Sequence, residues 1–427
     1  MHIVLWANLR WVVLGCLSTM VGCDAPIDHF EPNRLYARRM EMESHADLNQ
    51  AVVDTQAVLE RLFGTPDQPK WPEFLAETTV SVENLRRAAG PNSSDEADVQ
   101  IGLYRKHCIA CHGISGDGHG PTARLLNPYP RDFRLGKFKA KSTPIGTKPT
   151  RHDLRRVLQH GIPGTSMPSF ALVKAEDREA LVDYVIYLTL RGEVERDLLN
   201  RAALDLDDGE RLFDERLEGS SPEDFRDLWQ QIENTVARKA AGWQQAEESK
   251  NEVAGPPQGY PIYGQSQLSE ALSTSVARGR GLFQGAVASC SRCHGITAMG
   301  DGLTSDFDDW TKDWSVQAGL NPNDRTAIEP MLELGALKPR NILPRNLRHG
   351  VFRGGSRPVD LYNRIVHGIE GTPMPAAAMQ PDNPQGLSQS DVWDLVNYLL
   401  SLPDEHFHDG DDKLARRSPS QQGWQER

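Results

Sequence analysis

Two pentapeptides, Cys108-Ile109-Ala110-Cys111-His112 and Cys290-Ser291-Arg292-Cys293-His294, set two thiols about one helical turn apart with an imidazole directly after the second. That spacing suits the two vinyl groups of a haem, and the following histidine then ligates the iron from below. With 6 cysteines and 13 histidines in 427 residues, chance supplies only about 0.0025 such motifs per chain, so two are not accidental. A zinc ribbon would pair its CxxC units at roughly 15–20 residues, and here they lie far further apart. A thiol-disulfide CxxC follows a strand, whereas 101–107 reads as helix running into the motif.

The sixth iron position separates an electron carrier from a haem enzyme. Met167 and Met374 each stand in a Met-Pro step on a Gly/Pro-rich loop just before an apolar helix. A lone methionine is usually core filler, but two at matching places read as thioether ligands. Met299 and Met379 have no counterparts and read as packing. His160 and His367 also recur; each precedes a glycine at a helix end, where histidine commonly bonds a carbonyl or a propionate, so they rank behind the methionines as ligands. Arg131, Arg134, Arg345 and Arg348 recur beside Pro130 and Pro344, and their guanidinium groups match haem propionates. Solvated surface arginine is the alternative.

These residues sit in an internal repeat, in which residues 96–192 match 275–403. Gly102-Leu103-Tyr104 and Gly281-Leu282-Phe283 precede the motifs, and Gly116-Asp117-Gly118 and Gly300-Asp301-Gly302 follow them. Asn127, Pro130, Gly136 and Phe138 return as Asn341, Pro344, Gly350 and Phe352. The run from His160 to Pro168 returns from His367 to Pro375, and Leu181-Val182-Asp183-Tyr184 as Leu395-Val396-Asn397-Tyr398. The expected organisation is a leader (1–22), a helical extension (23–95), a first module (96–192), a helical linker (193–262), a second module (263–403) and a disordered tail (404–427). A Trp/Asp-rich insert, 303–340, lengthens the second module and is expected to lie in surface loops.

The formal charge is −12 and the pI near 5.6, and no basic run offers the clustered positive face that nucleic acid needs. The run from Trp11 to Val21 after Arg10 reads as an export signal. Met20-Val21-Gly22-Cys23 resembles a bacterial lipobox, which implies acylation of Cys23 and a membrane tether to a periplasmic protein. Cys16 then falls in the leader, Cys23 is the acylated residue at its end, and four cysteines fall in the CxxCH pairs, leaving none for a disulfide.

Taken together, CxxCH at the end of a first helix, a Gly-rich loop, a distal Met-Pro and a closing helix resemble the class I cytochrome c family. The resemblance implies an all-α fold with two tandem haem modules, two covalently attached haem c groups, and His112/Met167 and His294/Met374 as iron ligands. It also implies outer-sphere transfer of single electrons between redox proteins, a terminal oxidase being one possible acceptor, with no catalytic residue. A dihaem peroxidase is the enzymatic rival. An electron-entry subunit of a membrane complex, docked through 24–95, is a third reading.

Overall fold

The apolar positions of 48–62 recur at helical spacing, and in the computed structural model they form the helix Asn49–Phe63. The structure describes residues 27–75, 79–94, 100–207, 210–249, 255–302, 306–380 and 386–405. The leader with Cys16 and Cys23, and the tail from His406, lie outside the described residues. Of the described residues 52% are helix and 3% strand, the strand confined to two short antiparallel pairs, 93–94 with 100–101 and 306–307 with 341–342. Among the described residues no helix is long and apolar enough to cross a membrane.

Three helices form the extension: Arg34–Ser44, capped by Asn33, then Asn49–Phe63, and Val82–Ala88, capped by Ser81. Their apolar faces bury Tyr36, Leu59, Phe63 and Leu85 against the long helix Ala175–Leu204. Tyr187 on that helix donates to the Phe63 carbonyl at 2.6 Å. Glu195, fully buried, accepts from the Asn33 amide at 2.8 Å and from Gln56 at 2.9 Å. The extension therefore shares one core with the first module, and the expected boundary at 192 falls inside a helix. The extension covers Arg191 and Glu195, which pair with each other at 3.7 Å.

The linker helix Pro222–Glu248 folds back on the same core through Phe225, Ile232, Val236 and Trp243. The second module has its own core of Phe283, Leu361, Trp393, Val396 and Tyr398, built where Glu270–Gln284 crosses Gln389–Ser401. The insert departs from the expected surface loop. It forms the helices Asp309–Trp314 and Arg325–Glu333 and buries Trp314, Ile328 and Met331 in a third core, against which Leu35 and Met42 of the first helix pack. An insert with enough apolar side chains to bury gains more by docking than by staying hydrated.

Candidate haem-binding sites

Each CxxCH forms one short helical turn, Ile109–His112 and Ser291–His294, ended by a left-handed glycine, Gly113 or Gly295. In the first module Tyr104 fixes this turn by donating its hydroxyl to the Gly113 carbonyl at 2.9 Å. Burial pushes the Cys108 thiol up to about 12 and the Cys290 thiol to about 11. That upward direction is the reverse of the lowered thiol of a redox CxxC. Among the described residues no cluster of three or more His, Cys, Asp or Glu could hold a metal ion, so the zinc reading finds no donor set.

The two histidines are held alike. His112 Nδ1 lies 3.2 Å from the Arg131 carbonyl, and His294 Nδ1 lies 3.2 Å from the Arg345 carbonyl. A carbonyl only accepts, so Nδ1 carries the proton in both rings and Nε2 keeps its lone pair for a metal. Phe133 stacks on His112 at 4.7 Å. Burial lowers the pKa of both imidazoles and favours the neutral form a ligand needs.

The methionine turns are duplicates bond for bond. In the first, Ile162 N–H donates to the Met167 carbonyl at 3.1 Å and Met167 N–H to Thr165 Oγ1 at 3.1 Å. In the second, Ile369 N–H donates to the Met374 carbonyl at 3.1 Å and Met374 N–H to Thr372 Oγ1 at 3.2 Å. Gly161 and Gly368 open these turns at φ 66° and 69°, and a Cβ there would lie 2.6 and 2.8 Å from the Met167 and Met374 carbonyl oxygens. Met167 packs against the first core. His160 is exposed at the end of its helix, and Met379 packs on the second core.

The four recurring arginines divide. Arg131 pairs with Asp308 at 3.1 Å and lies 4.3 Å over the Trp310 ring. Arg134 and Arg348, expected to face propionates, have other work: Arg134 is buried with three guanidinium bonds to Asp132, and Arg348 binds Glu405 and the Thr297 carbonyl. Arg345 has no carboxylate partner among the described residues and rests against Gly164 of the Met167 turn. Beside it stands Arg353, a residue absent from the sequence reading, whose buried Nε has no hydrogen-bond partner. Burial, then Arg345 and Arg131, push its pKa down to about 10. Burial and Arg131 likewise push Lys139 down to about 7. Lys139 and Arg353 each follow a repeated Phe, at 138 and 352, and that shared position was the signal available in the sequence.

A haem presents two vinyl carbons, an iron and two carboxylates. The paired thiols, the open Nε2 atoms and the half-buried cations Arg345 and Arg353 fit all three, since a buried guanidinium nitrogen without a partner, as at Arg353 Nε, is costly until it meets an anion.

The family model described as cytochrome c matches residues 102–189 and 276–403. No curated protein matches the sequence. Among solved structures, a chain of the reducing HAO-like protein complex of Kuenenia stuttgartiensis is similar at 22% identity, over 76% of this chain and 96% of that chain, with a TM-score of 0.42.

Proposed function

Because the chain belongs to the cytochrome c family, with two modules and a covalently attached haem c in each, we propose an exported dihaem carrier relaying single electrons between a respiratory donor and an acceptor. Electron transfer itself follows from the family; the respiratory setting is our reading. Bound haem supplies a one-electron iron couple. The protein holds it with Cys108 and Cys111, or Cys290 and Cys293, and orients His112 and His294 through the Arg131 and Arg345 carbonyls. It offers Met167 and Met374 from matching turns. A thioether from Met167 or Met374 would raise the potential of that couple. Arg345 and Arg353 would donate to the haem's propionate carboxylates.

The observation that carries this reading is the identical wiring of the two methionine turns, which supports a like role for both sites and weighs against a peroxidase with one open site. The extension supports a single body, since its apolar faces pack on the first module instead of awaiting a partner. The test is a redox titration with spectra on Met167→Ala and Met374→Ala. Each variant loses one six-coordinate haem and part of the weak sulfur-to-iron band at the red edge. Unchanged spectra in both, or steady hydrogen peroxide turnover by half-reduced protein, would sink the proposal. The leader motif adds a tether, for which Cys23→Ser should release the protein from the membrane fraction.

A further inference from the structure

We propose that the first module and the insert clamp the Met374 turn, so that ligation at the second haem depends on docking of the two modules, with Lys141 and Trp310 as positioning residues. This rests on the reading of Met374 as a ligand. Internal bonds cannot distinguish the two turns, because they are the same in both. The difference lies in what touches each turn from outside.

Glu370 stands where the first turn has Pro163. Proline fixes its own backbone, whereas a glutamate needs partners. Glu370 is 7% exposed, and both its described partners belong to the first module. They are the Lys141 ammonium, in a close ion pair, and the Gly146 N–H, at 3.2 Å. Lys141 is itself held by the Pro144 carbonyl at 2.8 Å and by the Thr147 carbonyl. Gly371, the next residue, has φ +71°, and the Trp310 ring lies on it so closely that a Cβ would come within 2.3 Å of Cζ3. Asp309 N–H donates to the Gly371 carbonyl at 3.2 Å. Trp310 is pinned from the far side, donating Nε1–H to the Asp132 carbonyl at 3.0 Å.

Met374 follows four residues after Glu370. Loss of Lys141 leaves a buried carboxylate unpaired, and the turn relieves that cost by swinging Glu370 out to water, taking Met374 with it. The Met167 turn meets Arg345 at Gly164 and presents no buried charge of its own.

The test uses the full holoprotein carrying Lys141→Met, Lys141→Arg or Trp310→Ala, with Met374→Ala as the reference. Lys141→Met and Trp310→Ala should lose the sulfur-to-iron band of the second haem and shift the same potential wave that Met374→Ala shifts. The first haem keeps its band, and Lys141→Arg retains both. Unaltered spectra and potentials in Lys141→Met and Trp310→Ala, beside an altered Met374→Ala, would overturn the inference alone. Equal loss at both haems in those variants would also overturn it. Unchanged spectra in Met374→Ala would remove the ligand reading and the clamp together.

Discussion

Gly161 shows how narrowly a single residue governs a candidate ligand. Its φ of 66° is open to glycine, and a Cβ would press on the Met167 carbonyl, so Gly161→Ala adds backbone strain of about 1–3 kcal/mol to a direct clash. Its expected outcome is loss of the sulfur-to-iron band at the first haem only, read by absorbance in the oxidised protein. Arg353 governs charge in the same way. Arg353→Met removes a half-buried cation, and the electron-rich ferrous state loses more by this than the ferric state. The second haem's midpoint potential should therefore fall, measured by spectroelectrochemical titration. At this scale the motif residues were legible, since thiols and imidazole at CxxCH spacing have one economical use. The arginines were not, because the fold chooses whether Asp132, Glu405 or no acid stands beside each guanidinium.

Elements were legible where period and capping agreed. Arg151–His160 opens with Thr150 and Asp153 in a reciprocal capping box, and Gln389–Ser401 opens with Ser388 and Asp391 in another, both of which sequence can show. The extension reads as helix for the same reason, but its partner does not, since helical period reports that a face is apolar and not what covers it. The long helix Ala175–Leu204 runs past the expected boundary because its Arg191 and Glu195 are buried under that extension. Leu59→Ala and Leu85→Ala each empty a fully buried site and should cost about 2–5 kcal/mol. Urea denaturation would measure this. Because the extension and the first module share one core, the loss should appear in the transition reported by first-module haem absorbance; a first-module midpoint unchanged in both variants would count against the shared core.

For the molecule as a whole, every cross-module ion pair among the described residues runs one way, with the cation before residue 200 and the acid after 300. Arg131 and Lys139 meet Asp308, Lys137 meets Asp309, Lys141 meets Glu370, Arg156 meets Asp360, and Arg39 and Arg196 meet Asp313. Complementary faces of this kind fix the register of docking more than its strength. None of it was legible beforehand, since the partners lie more than a hundred residues apart and the acids belong largely to an insert without a repeat counterpart. Asp313 is the point where the three parts meet. It accepts from Arg196 at 2.7 and 2.9 Å and from Arg39 at 3.2 Å, and Arg196 also lies 3.8 Å over the Tyr36 ring. Asp313→Ala leaves the largely buried Arg196 guanidinium without its acid, while Arg39 keeps Glu43 at 3.1 Å, and breaking such a pair costs about 3–5 kcal/mol. That loss falls on the contact between modules and spares the second core. Calorimetry on the holoprotein should therefore resolve two unfolding transitions in the variant where the parent shows one, and a single transition at the parent's midpoint would mean that the modules are held together elsewhere.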